Sequence, residues 1–175
     1  MLENEYLMQH YVRDRLGEAR AIAAAAAIAR HASTAIALAG DDITYTTGRA
    51  LDLRKVVALY RANHWSSADK PRELRRALRK ADAVIAAWHG DDLVGLGYAI
   101  SDGALVVYYP HLLVLPEYQG RGVGRAIVER LRARYAGYHQ HVLIADGRAV
   151  DFYRKCGFER AGRTEPMWIY AGADH

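Results

Sequence analysis

An α/β chain of the α+β kind, a mixed sheet flanked by helices, is predicted by three observations. Runs of β-branched and aromatic residues, separated by short Gly and Asp turns, mark a meander of strands between residues 84 and 115. A glycine cluster at 120–124 joins the last of these runs to a segment of helical period. A further strand and a short helix follow it. At 175 residues the chain holds one such domain, assigned to residues 41–175, behind an alanine-rich helical extension over 1–40.

In the extension, Ala21 to Ala29 is built only of alanine and isoleucine. The run is too short to span a bilayer and is flanked by Glu18, Arg20 and Arg30, so a soluble helix is expected and no membrane partner. Met8, Val12, Leu16, Ala19 and Ala23 form an apolar stripe at helical spacing, offered to the domain or to a second copy of the chain in a homodimer.

The domain begins with a strand at Ile43–Thr47. Asp52 then caps a helix whose apolar face is Leu53, Val56, Val57 and Tyr60. Pro71 suits the first position of a second helix, with Leu74, Ala77, Leu78 and Ala81 on one side and Arg72, Arg75, Arg76, Arg79 and Lys80 on the other. Strands at Val84–Trp88 and Leu93–Ile100 are joined by a turn at His89–Asp92. Asp102-Gly103 turns the chain into the run Leu105–Leu115. Val123, Ile127 and Leu131 give the next helix its apolar period, to about Tyr135. A strand at His141–Ala145, a helix carrying Phe152 and Tyr153, and terminal strands at Phe158–Ala161 and Met167–Tyr170 complete the order.

Glycines between a strand and a helix imply anion binding. Backbone N–H groups at a helix N-terminus lack intrahelical partners, the macrodipole adds positive potential, and residues without side chains let phosphate approach. Two phosphate loops are excluded by spacing. A dinucleotide fingerprint needs Gly or Ala where Arg125 or Ile127 stands, and a nucleoside-triphosphate loop needs a terminal Gly-Lys-Ser/Thr.

What stands is Gln119-Gly120-Arg121-Gly122-Val123-Gly124-Arg125, preceded by Leu112-Leu113-Val114-Leu115-Pro116. This resembles the pyrophosphate loop of the GNAT superfamily of N-acetyltransferases, which bind acetyl-coenzyme A. Asp146 to Phe158, with Phe152-Tyr153 and the closing Gly157-Phe158, resembles the second signature of that family. The resemblance covers about 130 residues from near Asp42 and implies a GNAT-like mixed, strongly twisted sheet. It further implies that Leu112 and Val114 offer backbone groups to the pantetheine arm. Gln119, Gly120, Arg121, Gly122, Val123, Gly124 and Arg125 would hold the pyrophosphate, mainly by main-chain N–H groups. Asp146 stands where the family often has Asn, which removes two donors from a candidate cofactor contact.

Catalytic roles follow from the same resemblance. Tyr153 matches the tyrosine that protonates the departing thiolate in many members, and a phenol of ordinary pKa near 10 stays protonated at neutral pH. Tyr108 stands where some members carry a glutamate base. Proton removal is assigned to Tyr108 with water, and His111 is the second candidate. Strict alternation points His111 away from Tyr108, unless a bulge intervenes. Cys156 reads as a buried apolar residue. His64, Trp65, Tyr98, Tyr109 and Trp168 are candidates to line an acceptor pocket, or else core aromatics.

A formal charge of +4 suits an anionic cosubstrate without implying nucleic acid. One cysteine allows no intrachain disulfide and fits a cytoplasmic setting. Eight scattered histidines and no HExxH pair argue against a metal. The leading expectation is an N-acetyltransferase using acetyl-CoA as cosubstrate to acylate a primary amine of a small molecule or a protein. Two alternatives stand beside it: a non-catalytic acyl-CoA-binding regulatory module, and an acetyltransferase acting on aminoacyl-tRNA, suggested by the basic helix.

Overall fold

A computed structural model describes residues 42–147 and 149–169. The extension over 1–40 and its apolar stripe lie outside the described residues. Among the described residues, five strands form one sheet in sequence order: β1 (Ile43–Thr47), β2 (Ala83–His89), β3 (Asp92–Ser101), β4 (Val106–Val114) and β5 (Gln140–Val142). The first three pairings are antiparallel and β4–β5 is parallel, so the sheet is mixed. Tight turns explain the antiparallel part. At Asp102 one carboxylate oxygen accepts from the N–H groups of Ala104, Leu105 and Val106 at 2.8–3.0 Å. A parallel pair needs a crossover, supplied here by a helix.

Helices α1 (Leu53–Ala62) and α2 (Pro71–Lys80) cover one face of the sheet and α3 (Val123–Arg134) the other; α4 (Ala149–Lys155) follows β5. Asp52 caps α1 by accepting from the Arg54 N–H at 2.9 Å, and Pro71 opens α2. Alternate strand residues divide between two cores. Val84, Ala86, Leu96 and Tyr98 pack with α1 and α2, while Ala83, Ile85, Ala87 and Ala99 pack with α3. On the second face α3 approaches β3 closely: a Cβ on Gly97 would stand 2.6 Å from Ile127 Cγ2. Only a residue without a side chain allows that approach.

Two expectations need correction. The fifth strand is Gln140–Val142 rather than His141–Ala145, because pairing with β4 ends at Tyr108–Val142 and the next residues have no ladder partner among the described residues. No strand forms at Phe158–Ala161 or over the described part of Met167–Tyr170. Phe158 instead turns inward against Tyr109 and Tyr153. The N–H groups of Gly162 and Thr164 close local turns on Arg160 and Ala161 rather than joining a ladder.

One irregularity matters for the site. Between the pairs Ile100–Tyr108 and Tyr98–His111, β3 advances two residues while β4 advances three. The extra residue is a bulge at Tyr109-Pro110, where proline is tolerated because a ladder donor is dispensable there. It shifts the alternation by one. Tyr109 faces the α3 side with Tyr135. His111 faces the α1 side, as Tyr98 does, and Tyr108, paired with Ile100, shares that face.

Candidate active site

The site begins where β4 and β5 part. Beyond Tyr108, β4 runs on to Val114 with β3 as its only ladder partner among the described residues. The chain then crosses a short turn into the glycine cluster. Gly120 and Gly122 take positive φ of 76° and 87°, where an L side chain would be strained, and Gly122 is the uncapped N-terminal boundary of α3. The first backbone bond of the helix runs from Ala126 N–H to Gly122 O. The N–H groups of Gly122, Val123, Gly124 and Arg125 donate to no backbone acceptor among the described residues. Four such donors at a positive helix end call for an anion.

A cleft of about 970 Å³ lies against this end. Leu112, Val114, Gln119, Gly120, Arg121, Gly122, Gly124 and Arg125 line it, eight of the residues expected to hold a cosubstrate. Val123 is buried beneath the loop against Gly95 and is not among the residues lining the cleft. Gln119 serves as a brace. Its N–H donates to Pro116 O, and its side-chain amide donates to Val114 O at 3.0 Å, tying loop to strand. The Arg121 guanidinium lies 5.4 Å from the Tyr118 ring centroid. Asp146 is exposed ahead of α4 and is not among the residues lining the cleft.

The sequence did not place Asp42 to Tyr45, Asn63, Ala126, Arg130 or Phe152 in this cleft. Asn63 reaches it from the end of α1, Phe152 from α4, and Arg130 from α3, where its guanidinium stacks 4.0 Å over Tyr45. Arg130 stands one helical turn below Ala126, whose carbonyl it also contacts at 3.0 Å, so helical spacing from the loop was the available signal.

Beside the split stands a row of phenols. Tyr153 packs edge-on to Phe152 and Phe158, with centroids 5.0 and 5.8 Å away. Burial pushes its pKa up to about 12, with smaller contributions from Cys156 and Tyr108. Burial also raises Tyr108, and it pushes Tyr98 up to about 12 with a smaller contribution from Tyr108. These mutual effects place Tyr98, Tyr108 and Tyr153 in one electrostatic neighbourhood, where each stays a neutral donor at physiological pH. His111 joins them from the α1 side, with its ring 4.6 Å from Trp65 and 5.2 Å from Tyr98.

Of the acceptor-pocket candidates, Trp65 and Tyr98 meet at His111. Tyr109 lies across the sheet, bonded through its hydroxyl to His141 Nδ1 at 2.8 Å, and Trp168 is exposed in the tail. Cys156 is buried and its thiol pKa is raised, chiefly by burial, which disfavours the nucleophilic thiolate. On α2 the side chains of Arg72, Arg75, Arg76, Arg79 and Lys80 are exposed around a shallow groove. Among the described residues no group of three His, Cys, Asp or Glu is placed to hold a metal, and no helix is long and apolar enough to cross a membrane.

Comparison with known proteins bears on this arrangement. Residues 49–167 match the family model described as an acetyltransferase (GNAT) domain. "Histone acetyltransferase TAP1" of Glycine max is 29% identical over 133 residues, covering 68% of this chain and 57% of that protein. "Serotonin N-acetyltransferase 2, chloroplastic" of Oryza sativa subsp. japonica is 37% identical over 94 residues, covering 49% and 46%. The chain spans 27% to 57% of the length of the first curated relatives it matches. Among solved structures, a GNAT-family acetyltransferase from Streptococcus pneumoniae TIGR4 superposes with a TM-score of 0.66 at 30% identity, over 73% of this chain and 98% of that one. A parted sheet, an uncapped glycine-led helix and a matched family model agree, and the chain belongs to the GNAT acetyltransferase family.

Proposed function

We propose that the chain is an N-acetyltransferase that moves an acetyl group from acetyl-CoA directly to a small primary amine. The observation that carries this is the set of four backbone donors, Gly122 to Arg125, without a backbone acceptor among the described residues, beside a cleft at the parted strands. Pyrophosphate fits such a set by charge and by the room that Gly120 and Gly122 leave. Leu112 and Val114 on the divergent strand would flank the pantetheine arm. Arg121, Arg125 and Arg130 would add positive charge along the cleft.

When bound, acetyl-CoA supplies an activated acyl carbon. The residues of this chain manage protons. Turnover forms one C–N bond, breaks one C–S bond and carries a proton from the amine to the thiolate. Tyr153, kept protonated by burial, donates to the sulfur. On the acceptor side His111 takes the amine proton, with Tyr108 beside it at the head of the split. Trp65, Tyr98 and Tyr108 give that side an aromatic character that suits an amine with an apolar or aromatic body. The basic face of α2, which packs on the same side of the sheet, disfavours a lysine-rich protein tail.

Thiol release from acetyl-CoA across a panel of arylalkylamines, polyamines and lysine peptides tests the proposal. Amine-dependent release is expected, fastest with an arylalkylamine. Binding of acetyl-CoA with no release on any amine would favour a non-catalytic acyl-CoA-binding module instead.

A further inference from the structure

Helix α2 has two unlike sides. Leu74 and Leu78 are buried in the core with Tyr60 and Tyr98, while Arg72, Arg75, Arg76, Arg79 and Lys80 are exposed. Among the described residues these five cations are the whole lining of a shallow groove of about 530 Å³. Glu73 is the one acid of the helix and forms no ion pair with them, and they pair with no other described residue. Arg72 and Arg76, Arg75 and Arg79, and Arg76 and Lys80 stand four residues apart, where side chains on a helix face one another and like charges repel. Arg79 and Lys80 lie at the helix end that favours cations, but Arg72 in the first turn opposes the macrodipole. Nothing in the described chain offsets this repulsion, and an anion from outside would.

The lining selects the kind of anion. It offers no aromatic ring on which a nucleobase would stack and no apolar side chain for a bilayer to take up. Four of its five residues are arginines, whose planar forks donate paired N–H groups to a carboxylate. From Arg72 to Lys80 the row rises about 12 Å, which two turns of a facing helix cover. We infer that this face of α2 docks an acidic helical segment of a partner protein, with carboxylates repeating at i, i+3, i+4 and i+7 opposite the cations. None of the five cations lines the cleft at the glycine loop, so the docking is independent of the acetyl-transfer reading.

Fluorescence polarisation on the full chain tests this with an alanine-based peptide whose glutamates repeat at i, i+3, i+4 and i+7. The comparison probes are a peptide of the same composition with its glutamates spread around the helix, and a single-stranded oligouridylate of equal charge. The patterned peptide should bind most tightly of the three, and its affinity should fall as salt is raised. The triple reversal Arg72→Glu, Arg76→Glu and Arg79→Glu should weaken that binding about 10-fold or more. Glutamine at the same three positions should weaken it less, and this neutral variant carries the comparison if reversal impairs folding. Reversal at the exposed Lys155, Arg160 and Arg163 changes net charge equally and should leave affinity within about 2-fold. Equal binding of the two peptides, equal weakening by the control reversal, or no binding of the patterned peptide would overturn the inference. Tighter binding of the oligouridylate would overturn it too, and would assign the face to nucleic acid.

Discussion

Replacing Tyr153 with Phe removes one oxygen and little else. The ring keeps its edge contacts with Phe152 and Phe158, and its hydroxyl makes no hydrogen bond to a described residue. The fold should therefore lose less than about 1 kcal/mol. Burial holds the phenol up at about 12, so at neutral pH the wild-type hydroxyl is fully protonated and available to the thiolate. Losing a positioned proton donor lowers turnover by about 10²-fold, equivalent to about 2.7 kcal/mol of barrier. The assay is thiol release at saturating acetyl-CoA with the best amine of the panel, alongside a melting curve. kcat should fall with KM for acetyl-CoA unchanged, the pattern of an interaction made only in the transition state. Wild-type kcat in the variant would refute the reasoning, and so would a loss of activity that merely follows a loss of folded protein.

The contribution of Tyr98 and Tyr153 to stability should be constant up to about pH 10 and fall between pH 10 and 12, because they ionise near 10 when unfolded and near 12 when folded. The folded state then holds protons the unfolded chain has released, at about 2–3 kcal/mol per group; a melting temperature that does not fall over that interval would contradict the burial of these phenols. Gly97→Ala should lower the melting temperature by about 2–12 °C, since its Cβ meets Ile127 2.6 Å away and overpacking costs about 1–3 kcal/mol; an unchanged melting curve would show that α3 is not pressed against β3. Charge reversal at Arg72, Arg76 and Arg79 should leave kcat/KM on a small amine within about 2-fold, because these side chains are exposed on α2. Loss of that activity, or salt-sensitive tRNA binding that disappears in the variant, would favour an acceptor carried on nucleic acid.

Features written into neighbouring residues were legible in the sequence. The Asp52 cap, Pro71 at a helix start, the Asp102 turn and the glycine junction before α3 each depend on contacts within a few positions. The loop chemistry was readable for the same reason. Features set by distant pairing were not. Leu143 to Ala145 have the composition of a strand, but divergence from β4 removes their partner. The apolar and aromatic run Met167–Tyr170 likewise suggested a strand that no neighbouring edge engages within the described residues. The side taken by His111 depended on a bulge whose local signal, Pro110 inside a β-branched and aromatic run, was available to a stricter reading. The hydrogen bond between the Tyr60 hydroxyl and His111 Nδ1 joins residues 51 apart through a helix and a shifted strand, and no periodicity announces it.

The central claim is that the N-terminus of α3 beside the parted strands receives acetyl-CoA. Amide chemical shifts during an acetyl-CoA titration test it most directly, because the backbone donors themselves are observed. The account predicts saturable shifts concentrated at Gly122, Val123, Gly124 and Arg125, with smaller ones along Leu112 to Val114. Saturable shifts elsewhere that leave these four amides unmoved would contradict it.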